Sequence, residues 1–308
     1  NGTGPYKVAS WAKDEEVVIE ANPDYFGNKA QVGAIHYLVI PESSSRIIAL
    51  ENGEVDMIHK VPSEEVARLE TLEGITVLKQ PGVGQRLFRF GCNDEIMSNT
   101  KVRQALNYAV DRDAIRKALF ADVSEETTGP LAPAVFGSHD YGPIKQDLEK
   151  AKALLAEAGY ENGVGFPETT YLYNTDDKHQ AVAEALQSMW KNVLGVEVTL
   201  NNQDWNVFLE TRSKGDYSIC RNGWIADYND PVSFLDMFMT DNGNNDAHYS
   251  NAEYDAIMTK VLSDSDAAGR MELMHQAEDL LVGEDQAIAP LYYYSQPYMV
   301  ADDVHGMY

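Results

Sequence analysis

Positive charge is scarce in this 308-residue chain, where 24 Lys and Arg stand against 49 Asp and Glu for a net charge of −25. That excludes nucleic acid as a partner: a phosphate backbone needs a basic face, and the few cations are scattered, as in Arg86 and Arg89 or Lys150 and Lys152. No window approaches the ~20 consecutive apolar residues that a membrane-crossing helix needs. Cysteine is almost absent. Cys92 and Cys220 make neither a disulfide framework nor a CxxC metal site; they pair if their strands are neighbours or stand as two buried free thiols, and the sequence leaves both open. Enzyme signatures are missing too, with no GxSxG elbow, Walker loop or HExxH. Gly82-Val-Gly84 starts a dinucleotide-like string, but Leu87 stands where the third glycine belongs and a strand follows instead of a helix. The seven histidines are well separated, and the paired acids Asp176-Asp177 and Asp302-Asp303 read as caps and turns. Neither metal nor cofactor is expected.

What is present is a globular composition, 44% hydrophobic and 10% aromatic, long enough for about two domains on a prior of ~150 residues each. Residues 1–90 carry a net charge of −4 and residues 91–308 the remaining −21, so the acidity belongs to the later part. The opening Asn1-Gly-Thr-Gly-Pro-Tyr6 reads as a turn between elements, so an upstream portion is expected.

The first segment alternates short strands and helices. Ile35 to Ile40 reads as a strand, Ser43 to Asn52 as a serine-capped helix ended by Gly53, and Ser63 as the cap of a helix to Leu72. Strands are expected near Val55 to Ile58, at Ile75 to Leu78 and at Arg86 to Asn93. Helices follow over Lys101 to Ala109 and Asp111 to Phe120, then a third that Asp147 caps and Gly159 ends, with a Gly/Pro-rich loop over 127–142. Strand Thr169 to Tyr173 leads to an amphipathic helix, Asp176 to Leu194, whose Val182, Leu186, Met189 and Val193 recur at helical spacing. Strand Val196 to Leu200, helix Trp205 to Ser213 and strand Tyr217 to Arg221 complete a βαβαβ alternation, which predicts partly parallel strands. Two helices, Glu253 to Leu262 and Ala267 to Val282, precede a strand from Ile288 to Tyr294 bracketed by Pro290 and Pro297.

One stretch stands apart, Tyr217-Ser-Ile-Cys-Arg-Asn-Gly-Trp-Ile-Ala-Asp-Tyr-Asn-Asp-Pro231. A strand ends here and a helix begins, the place where open αβ sheets bind ligands. Arg221, Trp224 and Asp227 together offer a cation, a stacking plate and an anion, which suits a zwitterion. The same three residues also read as a surface partner, a core aromatic and a turn former.

Gly2-Thr-Gly-Pro-Tyr6, Asn22-Pro-Asp-Tyr25, Asn52-Gly-Glu-Val-Asp56, Val102-Arg-Gln-Ala-Leu106 with Asp111-Arg-Asp113, Ala151 to Gly159 and the GWIADYNDP stretch occur in this order. Together they resemble the extracytoplasmic peptide-binding proteins of ABC importers, most closely the oligopeptide-binding type, over essentially the whole chain. The resemblance implies a class II periplasmic-binding-protein-like α/β fold whose two lobes close on an extended peptide by a hinge. It implies that Asp227 pairs with the peptide's α-ammonium and that Trp224 lines a side-chain pocket. Arg221 and His179 would meet the carboxylate of peptides of different length, while Trp205 and Asn174 would line the cleft. Loss of a buried acid at Asp227 would weaken binding by about 2–5 kcal/mol. Backbone-directed hydrogen bonds would hold the peptide with little sequence specificity.

Members of that family are longer, so the resemblance implies a fragment: part of lobe one at residues 1–85, nearly all of lobe two at 86–294, and a return segment at 295–308. Such a fragment would bind peptide weakly or not at all. The implied partners are short peptides and a membrane permease, and the implied protein is a non-enzymatic monomer outside the cytoplasmic membrane, tethered by a lipid. The alternatives are the same fold with another solute, a nickel chelate, haem or an oligosaccharide, and, remotely, a peptidase, for which no nucleophile or metal set is found.

Overall fold

The structure, a computed structural model, describes residues 2–59, 61–120, 125–126, 131, 135 and 145–306. The chain divides into two compact units, residues 1–78 with 297–308, and residues 79–296. The sequence placed the divisions near 85 and 294.

The first unit begins with an antiparallel meander of β1 (Tyr6–Ala12), β2 (Glu16–Ala21) and β3 (Ala34–Leu38), where the sequence suggested only the last strand, and that one to Ile40. Its register puts Tyr6, Val8, Trp11, Val17, Ile19, Ile35 and Tyr37 on one face and Lys7, Glu16, Glu20 and His36 on the other. Period-two alternation is therefore present. Helix α1 (Ser43–Glu51), β4 (Met57–Ile58), α2 (Ser63–Leu69) and the start of β5 (Ile75–Phe90) follow. Neither expected serine cap forms, because Glu42 and Pro62 occupy the cap positions. Arg46 ties the start of α1 instead, donating to the Ile40 and Pro41 carbonyls and to Ser43 Oγ. The expected break between Leu78 and Arg86 is absent, since β5 runs through as one strand.

The second unit adds α3 (Thr100–Tyr108), α4 (Arg112–Phe120), β6 (Glu125–Glu126), α5 (Leu148–Glu157), β7 (Thr169–Asn174) and α6 (Asp177–Leu194). Then come β8 (Val198–Gln203), α7 (Trp205–Lys214), β9 (Ile219–Ile225), α8 (Val232–Leu235), α9 (Ala252–Ser263), α10 (Ala267–Glu278) and β10 (Ile288–Ala301). Apart from Leu131 and Val135, the Gly/Pro-rich loop expected over 127–142 lies outside the described residues. The strand order is β10-β5-β9-β7-β8, with β6 on the far side of β10. Strands β7, β8 and β9 pair in parallel, as the βαβαβ pattern predicts, while β5 pairs with β9 antiparallel. Among the described residues β6 and β4 cover only Tyr292–Tyr293 and Met299–Val300 of β10, so Pro290 and Pro297 fit inside the strand where that flank has no ladder partner.

Hydrophobic clusters cover both faces of this sheet. Phe88, Phe90, Tyr171 and Ile219 pack on one face against α3, α5 and α6, with Trp190 of α6 fully buried among them. Leu87 and Ile288 pack on the other against α9 and α10, and Leu172 and Cys220 against Phe208 of α7. Caps agree with the sequence in this unit. Asp111, Asp147 and Asp176 each accept backbone N–H groups at a helix start. Cys92 and Cys220 are free thiols although β5 and β9 are neighbours, and burial pushes them up to about 11 and about 12.

Gly195 ends α6 at φ +70°, and a Cβ there would overlap the Asn162 carbonyl oxygen, whereas Gly159 at φ +94° has open space around it. Gly195→Ala should therefore lower stability by about 2–3 kcal/mol, left-handed strain plus a backbone clash, and Gly159→Ala by about 1 kcal/mol. Equal denaturation midpoints for the two variants would show that the clash contributes nothing.

Candidate functional site

The parallel strands β7 and β8 end at Asn174 and Gln203, directly before α6 and α7, so the starts of both helices meet at the carboxyl edge of the sheet. Asp176 fixes the first turn of α6 by accepting the N–H groups of Lys178 and His179 at 3.0 and 3.1 Å. His179 is thereby turned toward β9, its side chain only 11% exposed. Its Nε2 lies 3.1 Å from Nη2 of Arg221. The Arg221 guanidinium also lies 5.7 Å from the ring centre of Phe208, on which Trp205 stacks at 5.7 Å with 22° between the planes. Trp205 itself is half exposed.

A second arginine joins them. Arg86 of β5 stands opposite Gly223, two places along from the Phe88–Arg221 pair, and so on the same face of the ladder as Arg221. Burial, then Arg221 and then Arg86 push His179 down to about 4, against the pull of Asp176 and the Asn174 carbonyl. Asn174 Oδ1 and Gln203 Oε1, opposite each other in the ladder, are buried without a hydrogen-bond partner among the described residues. Arg221 and Arg86 make this corner cationic and suited to a carboxylate, while the Asn174 side chain, two places along β7 from Leu172, stands on the opposite face of the strand from Tyr173.

An acidic end lies beyond β9. Asp227 follows the strand, donating its backbone N–H to Ser233 Oγ at 2.8 Å. Burial, with Asp227 as a further contributor, holds the Asp236 carboxyl above its usual range. Asp230 is already taken, by a two-point pair with Arg270 at 2.8 and 3.0 Å. The Asp227 side chain is exposed, which corrects the expectation of a buried acid. An ammonium meeting it in this structure would form a surface ion pair worth about 0.2–1 kcal/mol, and the larger figure applies only where the bound ligand is shielded from water.

The structure therefore gathers Arg221, His179, the Asn174 carbonyl and Trp205 at one corner and sets Asp227 apart from them by six residues of backbone, at most about 20 Å. Trp224 does not join that corner. It packs with Phe234 and Tyr293 under the other face, its Nε1 buried without a partner among the described residues. Sequence reasoning missed Arg86, Phe208 and Gln203. Phe208 was reachable, three residues after Trp205 on one helix face, but Arg86 comes near only through a pairing of distant strands. Among the described residues no three His, Cys, Asp or Glu side chains stand close enough to hold a metal ion, and no helix is long and apolar enough to cross a membrane.

The chain is similar to several known proteins. The periplasmic oligopeptide-binding protein OppA of Salmonella typhimurium is 34% identical over 312 residues, 98% of this chain and 57% of the relative. The oligopeptide-binding protein OppA of Bacillus subtilis is 29% identical over 99% of this chain and 58% of its own length. The solved structure of the ABC transporter-associated periplasmic binding protein DppA from Helicobacter pylori, in complex with the peptide STSA, superposes with a TM-score of 0.84 at 28% identity, covering 99% of this chain and 60% of that one. The chain thus spans under two thirds of these relatives. The family described as bacterial extracellular solute-binding proteins, family 5 Middle, matches residues 1–246, and this chain belongs to it.

Proposed function

We propose that this chain is part of the substrate-binding component of an ABC importer and grips short peptides by their two charged ends. The observation that carries the reading is the separation of charge along β9 and the turn after it, with Arg221 and Arg86 at one end and Asp227 and Asp236 at the other. An extended zwitterion fits that polarity, its carboxylate at the cationic corner and its ammonium at the acids. The names of the relatives point the same way, two being oligopeptide-binding proteins and one a structure holding a tetrapeptide. Trp205, Asn174 and Gln203 would line the path between the ends, and Trp224 would support it from beneath. Capture without bond cleavage, handover to a membrane permease, action as a monomer and a lipid-tethered place outside the cytoplasmic membrane complete the proposal.

The test is a nuclear magnetic resonance titration of the chain with trialanine, N-acetyl-trialanine and trialanine amide. Free trialanine should shift signals from Arg221 to Asp227 with about millimolar affinity, near −4 kcal/mol. Amidation should remove the shifts around Arg221 and His179, and acetylation those around Asp227 and Tyr228. Asp227→Ala should reproduce the effect of acetylation. The same response to all three peptides would overturn the reading. A carboxylate ligand lacking an ammonium would shift the Arg221 end alone.

A further inference from the structure

We propose that His179 is a neutral positioning residue: protonated on Nδ1, it accepts an N–H from Arg221 on Nε2 and so presents the guanidinium to the ligand carboxylate. The inference rests on the carboxylate reading of this corner and departs from the cationic role that the family resemblance implied. Its basis is donor and acceptor chemistry. A guanidinium carries donors only and stays protonated in proteins. At 3.1 Å from Arg221 Nη2, Nε2 of His179 must therefore offer its lone pair. An imidazolium would set N–H against N–H and one positive charge against another, so this geometry and a charged histidine exclude each other. The proton of the neutral ring then sits on Nδ1, which is buried without a hydrogen-bond partner among the described residues, the nearest acid oxygen being Asp176 Oδ1 at 3.8 Å.

The surroundings favour the neutral ring on balance. Arg221 faces the ring from β9 and Arg86 from β5, both positive. From α6 itself comes Asp176, whose Oδ1 is 3.8 Å from Nδ1 and is already committed to capping two backbone N–H groups. Strand β7 contributes the Asn174 carbonyl to the ring and the buried phenol of Tyr171 to the two arginines, and α7 the uncharged ring of Phe208 beside Arg221. The two arginines and the burial outweigh the single acid, which leaves the ring neutral down to about pH 4. Because the folded value lies below the ordinary 6.5, His179 favours the folded state fully above pH 6.5, and that contribution is lost as the pH falls towards 4. A guanidinium held in advance loses less side-chain freedom when the ligand arrives. The net charge that meets the carboxylate then comes from Arg221 and Arg86 and stays constant between pH 5 and 8.

The experiment uses the 308-residue chain with isotope-labelled histidine, the His179 signal being assigned by its loss in His179→Gln. The expected spectrum is that of the Nδ1–H tautomer, with no titration from pH 8 to pH 5. An Nε2–H tautomer, or a midpoint near 6.5, overturns the proposal. In parallel, the affinity for trialanine should change less than twofold between pH 8 and 5.5. His179→Gln, which keeps an acceptor, should lose less affinity than His179→Ala. His179→Ala should lose threefold to tenfold, and His179→Lys should lose at least as much through repulsion of Arg221. Tighter binding on acidification, or full retention in His179→Lys, would show a cationic contact instead. If trialanine does not bind at all, peptide capture fails, while the tautomer, measured without ligand, decides on His179 separately.

Discussion

Trp190→Ala is expected to destabilise the second unit by about 4–5 kcal/mol, measured as a shift in the urea midpoint at unchanged slope. Truncating a fully buried tryptophan removes transfer energy and leaves a cavity, together about 3–5 kcal/mol. Trp190 stands between α6 and the sheet, edge-on to Phe88 at 5.7 Å and tilted against Tyr171 at 6.1 Å. Its Nε1 also donates to the Leu106 carbonyl at 2.9 Å, near the end of α3, so truncation strands a buried acceptor. Domains are stable by only ~5–15 kcal/mol, so the variant should sit close to its unfolding transition at room temperature. Trp190→Phe keeps most of the packing and loses the hydrogen bond, for about 1–2 kcal/mol. Eleven residues are three helical turns, so the face of α6 that carries Trp190 also carries His179. Loosening this anchor should blur the Arg221–His179 geometry as well. A Trp190→Ala midpoint within 1 kcal/mol of the parent would mean that the cavity collapses without penalty.

Most of the second unit was legible because its signals are local. The spacing of Val182 and Leu186 predicts the buried stripe of α6, and Asp147 and Gly159 mark the ends of α5 within a residue or two. Parallel strands followed from strand–helix alternation alone. What stayed hidden depends on pairing. Pro81-Gly82-Val83-Gly84 has the composition of a turn, yet β5 runs straight through it and pairs with β9 from Gly84 onward, so the break suggested by local preference does not form. The β1–β3 meander was overlooked because Asp14-Glu15-Glu16 and the Asn22 to Gly33 stretch look like loop on every local scale, although Val17, Ile19, Ile35 and Tyr37 alternate correctly once paired. In the candidate site the sequence supplied Arg221, His179, Asn174, Trp205 and Asp227. It lacked Arg86, and it placed Trp224 beside Arg221 although consecutive odd and even residues of a strand face opposite ways.

Behind the cationic corner lies a second arginine system whose acid should be hard to replace. Arg89, three places along β5 from Arg86 and opposite Cys220, is 1% exposed. Its Nη1 donates to the Asn244 carbonyl at 2.9 Å, and Asp246 Oδ2 lies 3.7 Å away. The same carboxylate oxygen is 2.8 Å from Nε of Arg212, and the Tyr217 hydroxyl donates to the Asp246 backbone carbonyl. Burial lowers the Arg89 titration, opposed chiefly by Tyr217 and Asp246. Asp246→Ala leaves a buried guanidinium without its anion beside a second one, for an expected loss of about 3–5 kcal/mol. Arg89→Met combined with Asp246→Ala removes both buried charges and should lose about 1–3 kcal/mol less than the sum of the single variants. Strictly additive losses would show that Arg89 and Asp246 do not act as a pair. Arg89 and Cys220 lie on the face of the β5–β9 ladder opposite Arg86 and Arg221. The pair therefore braces from beneath the two strands that hold Arg86 and Arg221, and Asp246→Ala should weaken trialanine binding in proportion to the fraction unfolded, with no change in the preference for a free carboxylate.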